Sequence, residues 1–177
     1  MRHGAAEQGL VLKKDGAVCV EELLRHPMFK RYSEDDIDIV VRTNAKQRFG
    51  MDIEDGKPMV YCRQGHSNQI GLDPFSVRNM VVLAPADVPA FAVHGTVRAN
   101  IAPIRKQGLK AMERPIHFAV AGGQSGVRDD ADVHIHVAVR QAAFDGIPFF
   151  MSENGVLLTN GRDATLPPTY CGFPKIT

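Results

Sequence analysis

The sequence predicts an α+β protein of two lobes, the first built from helices and a hairpin and the second rich in strands. Three observations carry that expectation. Two stretches at helical spacing precede an Asp-Gly hairpin in the first half, and five apolar strand-like runs crowd the second. A proline-rich stretch, "LDPFSVRNMVVLAPADVPAF", separates them, and we place the boundary between residues 82 and 83.

The first half reads element by element. A short helix is expected from about Val18 through "EELLRH" to Pro27. A second begins at Ser33, a good N-cap with Asp36 three residues on and acids in the first turn, where the helix dipole favours them. Ile37, Val40 and Val41 recur at helical spacing, and Asn44 is the expected stop. Two strand-like runs then flank Asp55-Gly56, a strong hairpin signal. Two helices followed by a hairpin make the skeleton of a winged helix-turn-helix, here without the usual first helix. A generic small α+β unit has the same pattern.

In the second half the strand-like runs are "AFAVHGT", "IHFAV", "ADVHIHVAV", "IPFFMS" and "GVLLT". One helix is expected from Val97 to Gln107, with Gly108 just past its end and Pro103 blurring its start. "SENGV" is a tight turn carrying Asn154-Gly155.

Composition excludes several classes. The chain has 177 residues, with 21 basic against 20 acidic, split 12 and 12 before Val82 and 9 and 8 after it. Neither half is a polycation, so a broad basic surface for nucleic acid is excluded, whereas a recessed pocket of a few arginines is allowed. Cys19, Cys62 and Cys171 are scattered and odd in number, and read as free thiols of a reducing compartment rather than zinc ligands. No apolar run reaches a membrane-spanning length, and "MRHGAAEQG" has no secretory core. The expected setting is intracellular, cytoplasmic or nuclear.

Several short motifs carry chemistry. In "VHGT" a glycine lets a planar amide approach the backbone, while His94 and Thr96 can bond ribose hydroxyls; an ordinary strand-to-helix turn reads the same. In "GQSGVRDD", backbone amides and Arg128 can hold a phosphate, or Arg128 can simply pair with Asp129 or Asp130. His134 and His136 alternate on one face of a strand without an evident third metal ligand. The patterns of a nucleotide P-loop, GxSxG and HExxH are absent.

Taken in order, "RHGAAEQGLVLKKDGAVCVEELL", "TNAKQRFGM", "RQGHS", "VHGT", "GLKAMERPIHFA", "SGVR", "DGIPFFMSENGVLLT" and "PPTY" resemble the NAD-dependent RNA 2′-phosphotransferase family of tRNA splicing. Each motif is weak alone, but together they are collinear over essentially the whole chain. The resemblance implies a winged-helix-like RNA-binding lobe over residues 1–82 and an ADP-ribosyltransferase-like NAD-binding lobe over 83–177, with the active site in the cleft between them. It implies transfer of an internal 2′-phosphate of spliced tRNA or other RNA to NAD, which is consumed as co-substrate. The products are 2′-OH RNA, nicotinamide and ADP-ribose 1″,2″-cyclic phosphate. No metal, membrane or obligate protein partner is implied.

The same resemblance carries residue roles. The family's Arg-His-Arg-Arg set matches Arg2 and His3 first and Arg128 last, giving Arg2 the RNA phosphate, His3 a phosphate contact or proton shuttle, and Arg128 the transition-state phosphoryl group. His66 and Ser67 join the substrate-phosphate group. His94, Gly95, Thr96 and His117 match NAD-lobe positions, with Ser152, Asn154, Gly155 and Val156 on the nicotinamide side.

Three positions depart from the family pattern. The family has a helix ahead of Arg-His, whereas here the pair follows Met1. Its R-x-H-x-H is shortened to "RPIH", keeping His117. Its R-A-N-Q-G-H-S reads "YCRQGHS", so its third arginine falls on Tyr61 and its asparagine on Arg63. Residues 61 and 63 share a strand face about 6–7 Å apart. Arg63 is therefore expected to take the arginine's role, with Tyr61 packed beside it. Two other functions fit the same motifs: a catalytically impaired phospho-RNA binding module, and an ADP-ribosyltransferase acting on nucleic-acid phosphates.

Overall fold

The computed structural model describes residues 5, 8–66, 71–121 and 126–174. The chain is a mixed α/β structure that divides into two compact units, Met1–Met80 and Val81–Thr177.

In the first unit, strand β1 (Val18–Cys19) runs straight into helix α1 (Val20–Arg25). The helix expected from Val18 therefore starts two residues late. Val18 and Cys19 pair instead with Val60 and Met59 of a later strand, which buries both side chains. Pro27 ends the helix by holding His26 extended, at ψ 138°.

Helix α2 (Glu34–Thr43) is capped as its sequence indicates. The Ser33 hydroxyl accepts the Asp36 amide at 3.3 Å, and the Asp36 carboxylate accepts the Ser33 amide at 2.8 Å. Ile37 and Val41 turn inward one helical repeat apart, but Val40 lies outward beside Ile39, each 54% exposed. The buried stripe of α2 is thus narrower than expected.

Strands β2 (Phe49–Glu54) and β3 (Lys57–Cys62) form the hairpin, and among the described residues the sheet order is β1-β3-β2. Asp55 and Gly56 both take positive φ, 51° and 74°, the type I′ geometry whose twist matches the strands it joins. Val60 faces the helices in a core with Val18, Val20, Leu23 and Val41. Met59 and Tyr61, on the other face, pack with Ala17 and Cys19.

The stretch expected as a linker is tied to the first unit at Ser76, Val77 and above all Arg78. Arg78 donates to Asp15 at 2.8 Å, to Asp52 at 2.7 Å and to Glu54 at 2.5 Å, and its guanidinium lies 5.5 Å over the Tyr61 ring. Burial opposes its charge, but the hydrogen bonds it donates to Glu54 and Asp15 outweigh that and hold it firmly protonated.

The second unit is built on an antiparallel sheet. Its strands are β4 (Val81–Val82), β5 (Ala92–Thr96), β7 (Ile116–Ala119), β8 (Val133–Val137), β9 (Phe150–Met151), β10 (Val156–Thr159) and β12 (Cys171–Gly172). Their order among the described residues is β12-β8-β5-β7-β10-β9-β4. A separate pair joins β6 (Leu109–Lys110) to β11 (Thr165–Leu166). Phe118, Ile135, Val137, Phe149 and Leu157 fill the core, packed with side chains of helices α3 (Ile101–Gln107) and α4 (Val139–Phe144).

The helix expected from Val97 opens as a 3-10 turn at Arg98–Asn100 and becomes α-helical at Ile101. Pro103 then falls in the first turn, where its missing N–H breaks no bond. Gly108 ends the helix at φ 83°.

Candidate active site

The described residues singled out by sequence fall in both units. Arg2, His3 and Ser67 lie outside the described residues, as do Gly123 to Ser125 of the "GQSGVRDD" loop.

The cluster of the first unit is a corner where the end of α2 meets the open end of the hairpin. One more pairing extends the ladder past Phe49↔Cys62: the Arg63 amide donates to the Arg48 carbonyl at 2.9 Å. Arg48 and Arg63 therefore stand directly opposite each other, a placement that like charges oppose. The Arg63 guanidinium is half-buried and donates to Gln47 Oε1 at 2.9 Å. Arg48 is also half-buried, and among the described residues its guanidinium has no hydrogen-bond or carboxylate partner. Sequence reasoning left Arg48 unassigned although it lies within "TNAKQRFGM". Its signal was the count of strand residues that puts it across from Arg63.

Tyr61 and Arg63 meet different surroundings. Tyr61 is only 3% exposed, lies against Gly50 of β2, and its hydroxyl accepts from Asn79 Nδ2 at 3.2 Å. It belongs to the Arg78 staple, whereas Arg63 belongs to the corner with Gln47. His66 is fully buried, its ring against Gly16, where any added side chain would run into the imidazole. Gly16 also holds φ 76°, a conformation that suits glycine.

The second cluster centres on β5. His94 Nδ1 lies 2.9 Å from the His117 carbonyl, which can only accept, so Nδ1 carries the proton. The ring stands edge-on to Phe118 at 5.9 Å. Burial holds its pKa below the usual histidine value despite that hydrogen bond, and the positive field of Arg128 lowers it further. His94 is therefore neutral at pH 7 and its Nε2 is an acceptor, suited to a ligand hydroxyl. His117 Nδ1 donates to the Pro115 carbonyl at 2.7 Å. Thr96 is buried, and its hydroxyl accepts from Asn100 at 3.1 Å.

Gly95 serves packing. The space a Cβ would fill is taken by Val127, and a Cβ on Gly126 would stand 2.6 Å from the Phe118 carbonyl. The segment carrying Arg128 is thereby seated on β5 and β7. Arg128 itself pairs in two-pronged fashion with Asp130, Nε to Oδ1 at 2.5 Å and a terminal nitrogen to Oδ2 at 2.6 Å, with both side chains largely exposed. The hydrogen bond to Asp130 raises the Arg128 pKa and lowers that of Asp130.

The turn after β9 holds itself together. The Ser152 hydroxyl accepts the Val156 amide at 2.9 Å and lies within bonding distance of the Val156 carbonyl and Asn154 Oδ1. Gly155 takes φ 76°, and Val156 is fully buried. Ser152 and Val156 therefore shape the turn, and the half-buried Asn154 and Gly155 are the more accessible pair. His134 and His136 are exposed, and among the described residues no group of three or more His, Cys, Asp or Glu is placed to hold a metal. Nor is any described helix long and apolar enough to cross a membrane.

The described site residues thus present a hairpin corner bearing opposed arginines and a strand carrying a neutral histidine, and comparison with known proteins gives the class. Residues 1–161 match the RNA 2′-phosphotransferase, Tpt1 / KptA family. A "tRNA 2′-phosphotransferase 1" of Danio rerio is 41% identical over 180 residues, covering 96% of this chain and 78% of that protein. The Homo sapiens protein of the same name is 36% identical, covering 96% and 69%. A "Probable RNA 2′-phosphotransferase" of Escherichia coli O9:H4 is 32% identical, covering 90% and 85%. The chain belongs to the RNA 2′-phosphotransferase family, and is a transferase of that class.

Proposed function

We propose that the protein removes an internal 2′-phosphate from spliced tRNA, or from other RNA, by transferring it to NAD. The observation that carries this reading is the Arg48–Arg63 pair. Two arginines opposed across a ladder repel each other, and a phosphate dianion relieves that repulsion. The first unit then acts as a winged-helix-like RNA lobe and the second as an ADP-ribosyltransferase-like NAD lobe, so the reaction draws on residues of both.

The chemistry has two steps. A 2′-phosphate oxygen attacks the nicotinamide-ribose carbon, and the glycosidic bond breaks to expel nicotinamide. A hydroxyl of the same ribose then attacks phosphorus, the bond to the RNA 2′-oxygen breaks, and that oxygen leaves as the 2′-OH. ADP-ribose 1″,2″-cyclic phosphate remains. Both steps redistribute negative charge over phosphate oxygens, which fixed guanidinium groups stabilise.

Arg63, with Arg48 opposite, holds the RNA phosphate in this reading, joined by Arg2 and His3. His66 and Ser67 belong to the same substrate-phosphate group in this reading. Arg128 meets the phosphoryl group by exchanging Asp130 for it. His94 accepts from a ribose hydroxyl, and Gly95, Thr96, His117 and the Ser152–Val156 turn form its surroundings. Incubation with NAD and an oligonucleotide carrying one internal 2′-phosphate tests the proposal: 2′-OH RNA and nicotinamide are expected in equal amounts. Accumulation of ADP-ribosylated RNA without the cyclic product would favour an ADP-ribosyltransferase instead. Binding without NAD turnover would favour a phospho-RNA binding module.

A further inference from the structure

We propose that Gln47 is a positioning residue for the Arg63 guanidinium; the inference rests on the reading of Arg63 as a ligand of the RNA phosphate. The last carbonyls of a helix lack intrahelical partners. Gln47 Nε2 donates to two carbonyls at the end of α2, that of Arg42 at 3.2 Å and that of Asn44 at 2.9 Å. Carbonyl oxygens only accept, so the amide cannot be turned round. Its Oε1 must face the other way, where it receives Arg63.

The backbone fixes this amide in turn. Gln47 sits at φ 47°, a region that non-glycine residues seldom occupy, and its N–H donates to the Asn44 carbonyl at 2.8 Å. Asn44 Oδ1 accepts the Arg48 amide at 2.9 Å, and the Arg48 carbonyl accepts the Arg63 amide at 2.9 Å. The bonds thus close a ring through Asn44, Gln47, Arg63 and Arg48. What Gln47 contributes differs from what carboxylates contribute elsewhere in the chain. Asp130 orients Arg128 but also neutralises it, as Asp15, Asp52 and Glu54 do Arg78. An amide oxygen orients a guanidinium and adds no countercharge.

Steady-state kinetics with the internally 2′-phosphorylated oligonucleotide and NAD test this, using wild type, Gln47→Met, Gln47→Glu, Arg63→Ala and the Gln47→Met/Arg63→Ala double variant. Gln47→Met keeps the bulk of the side chain but removes the clamp. It is expected to lower kcat/KM for RNA about 10- to 100-fold, as misplacement of a binding group does, while KM for NAD stays unchanged. In the Arg63→Ala background it is expected to add nothing. Gln47→Glu keeps an acceptor for Arg63, but sets a carboxylate against two carbonyls and neutralises the arginine, so it is expected to be at least as impaired. Should Gln47→Met not fold, Gln47→Glu together with a Gln47→Glu/Arg63→Ala double variant completes the same cycle, with the Gln47 substitution again expected to add nothing in the Arg63→Ala background.

Full loss from the Gln47 substitution even without Arg63, or an equal rise in both KM values, would overturn the inference in favour of a purely structural role. If wild type acts and Arg63→Ala is impaired while the Gln47 variants are not, this inference alone fails. If wild type neither binds nor converts the phosphorylated oligonucleotide, the proposed function fails and takes the inference with it.

Discussion

At Arg78 three carboxylates surround the guanidinium, at Arg128 one carboxylate grips it, and at Arg63 a neutral amide oxygen is one of the groups that hold it. These environments imply different consequences of substitution. Under the proposed function, Arg63→Ala removes a charged hydrogen-bond donor worth about 1.5–3 kcal/mol, or roughly 10- to 150-fold in kcat/KM for RNA. Turnover by that variant equal to wild type would exclude the role. Arg128 has to exchange Asp130 for substrate, so Asp130→Asn, which weakens the grip, should leave activity intact or raise it, and Arg128→Ala should lower it. His94 gives a pH signature. Its folded pKa lies below the ordinary value of 6.5, so the unfolded chain binds the proton more readily. The stability associated with neutral His94 is full above about pH 6.5 and is lost as pH falls from there through the folded pKa. Melting curves from pH 7.5 to 5.5 should show a drop that His94→Gln lacks.

At the scale of elements, the first unit was the more legible. Ser33 with Asp36 marked a helix start, and Asp55-Gly56 marked a turn, because both signals are local and each satisfies its own backbone groups. Ser33→Ala should therefore cost about 1 kcal/mol, read as a shift in denaturation midpoint. Long-range pairings left no local trace. Nothing in "LK" or "TL" announces the pairing of β6 with β11, and Val18 looks helical until Val60 is seen opposite it. The Arg78 staple was missed for the same reason, since its partners lie up to 63 residues away. Arg78→Met should leave three mutually repelling carboxylates, of which Glu54 still pairs with Lys13. They are partly exposed, so the cost should fall below the ~3–5 kcal/mol of a fully buried broken pair, at about 2 kcal/mol. Thermal unfolding of the variant checks it, and recovery with raised salt would support repulsion as the cause.

Over the whole molecule, the near-balance of charge argues against a broad basic surface for nucleic acid, so in the proposed reaction phosphate recognition falls to single arginines. The candidate site was legible as motifs in order, but not as a geometry. Strand alternation makes Tyr61 and Arg63 same-face neighbours, and the fold assigns one to the Arg78 staple and the other to the Gln47 clamp. Arg48 needed the strand register before it could be placed opposite Arg63. The proposed reaction requires both units of the chain, since one bears the opposed arginines and the other bears His94 and Arg128. The most direct test is one incubation of the protein with NAD and RNA carrying a single internal 2′-phosphate, with all products quantified. The account predicts 2′-OH RNA, nicotinamide and ADP-ribose 1″,2″-cyclic phosphate in equal amounts. Intact 2′-phosphorylated RNA with no nicotinamide released would contradict it.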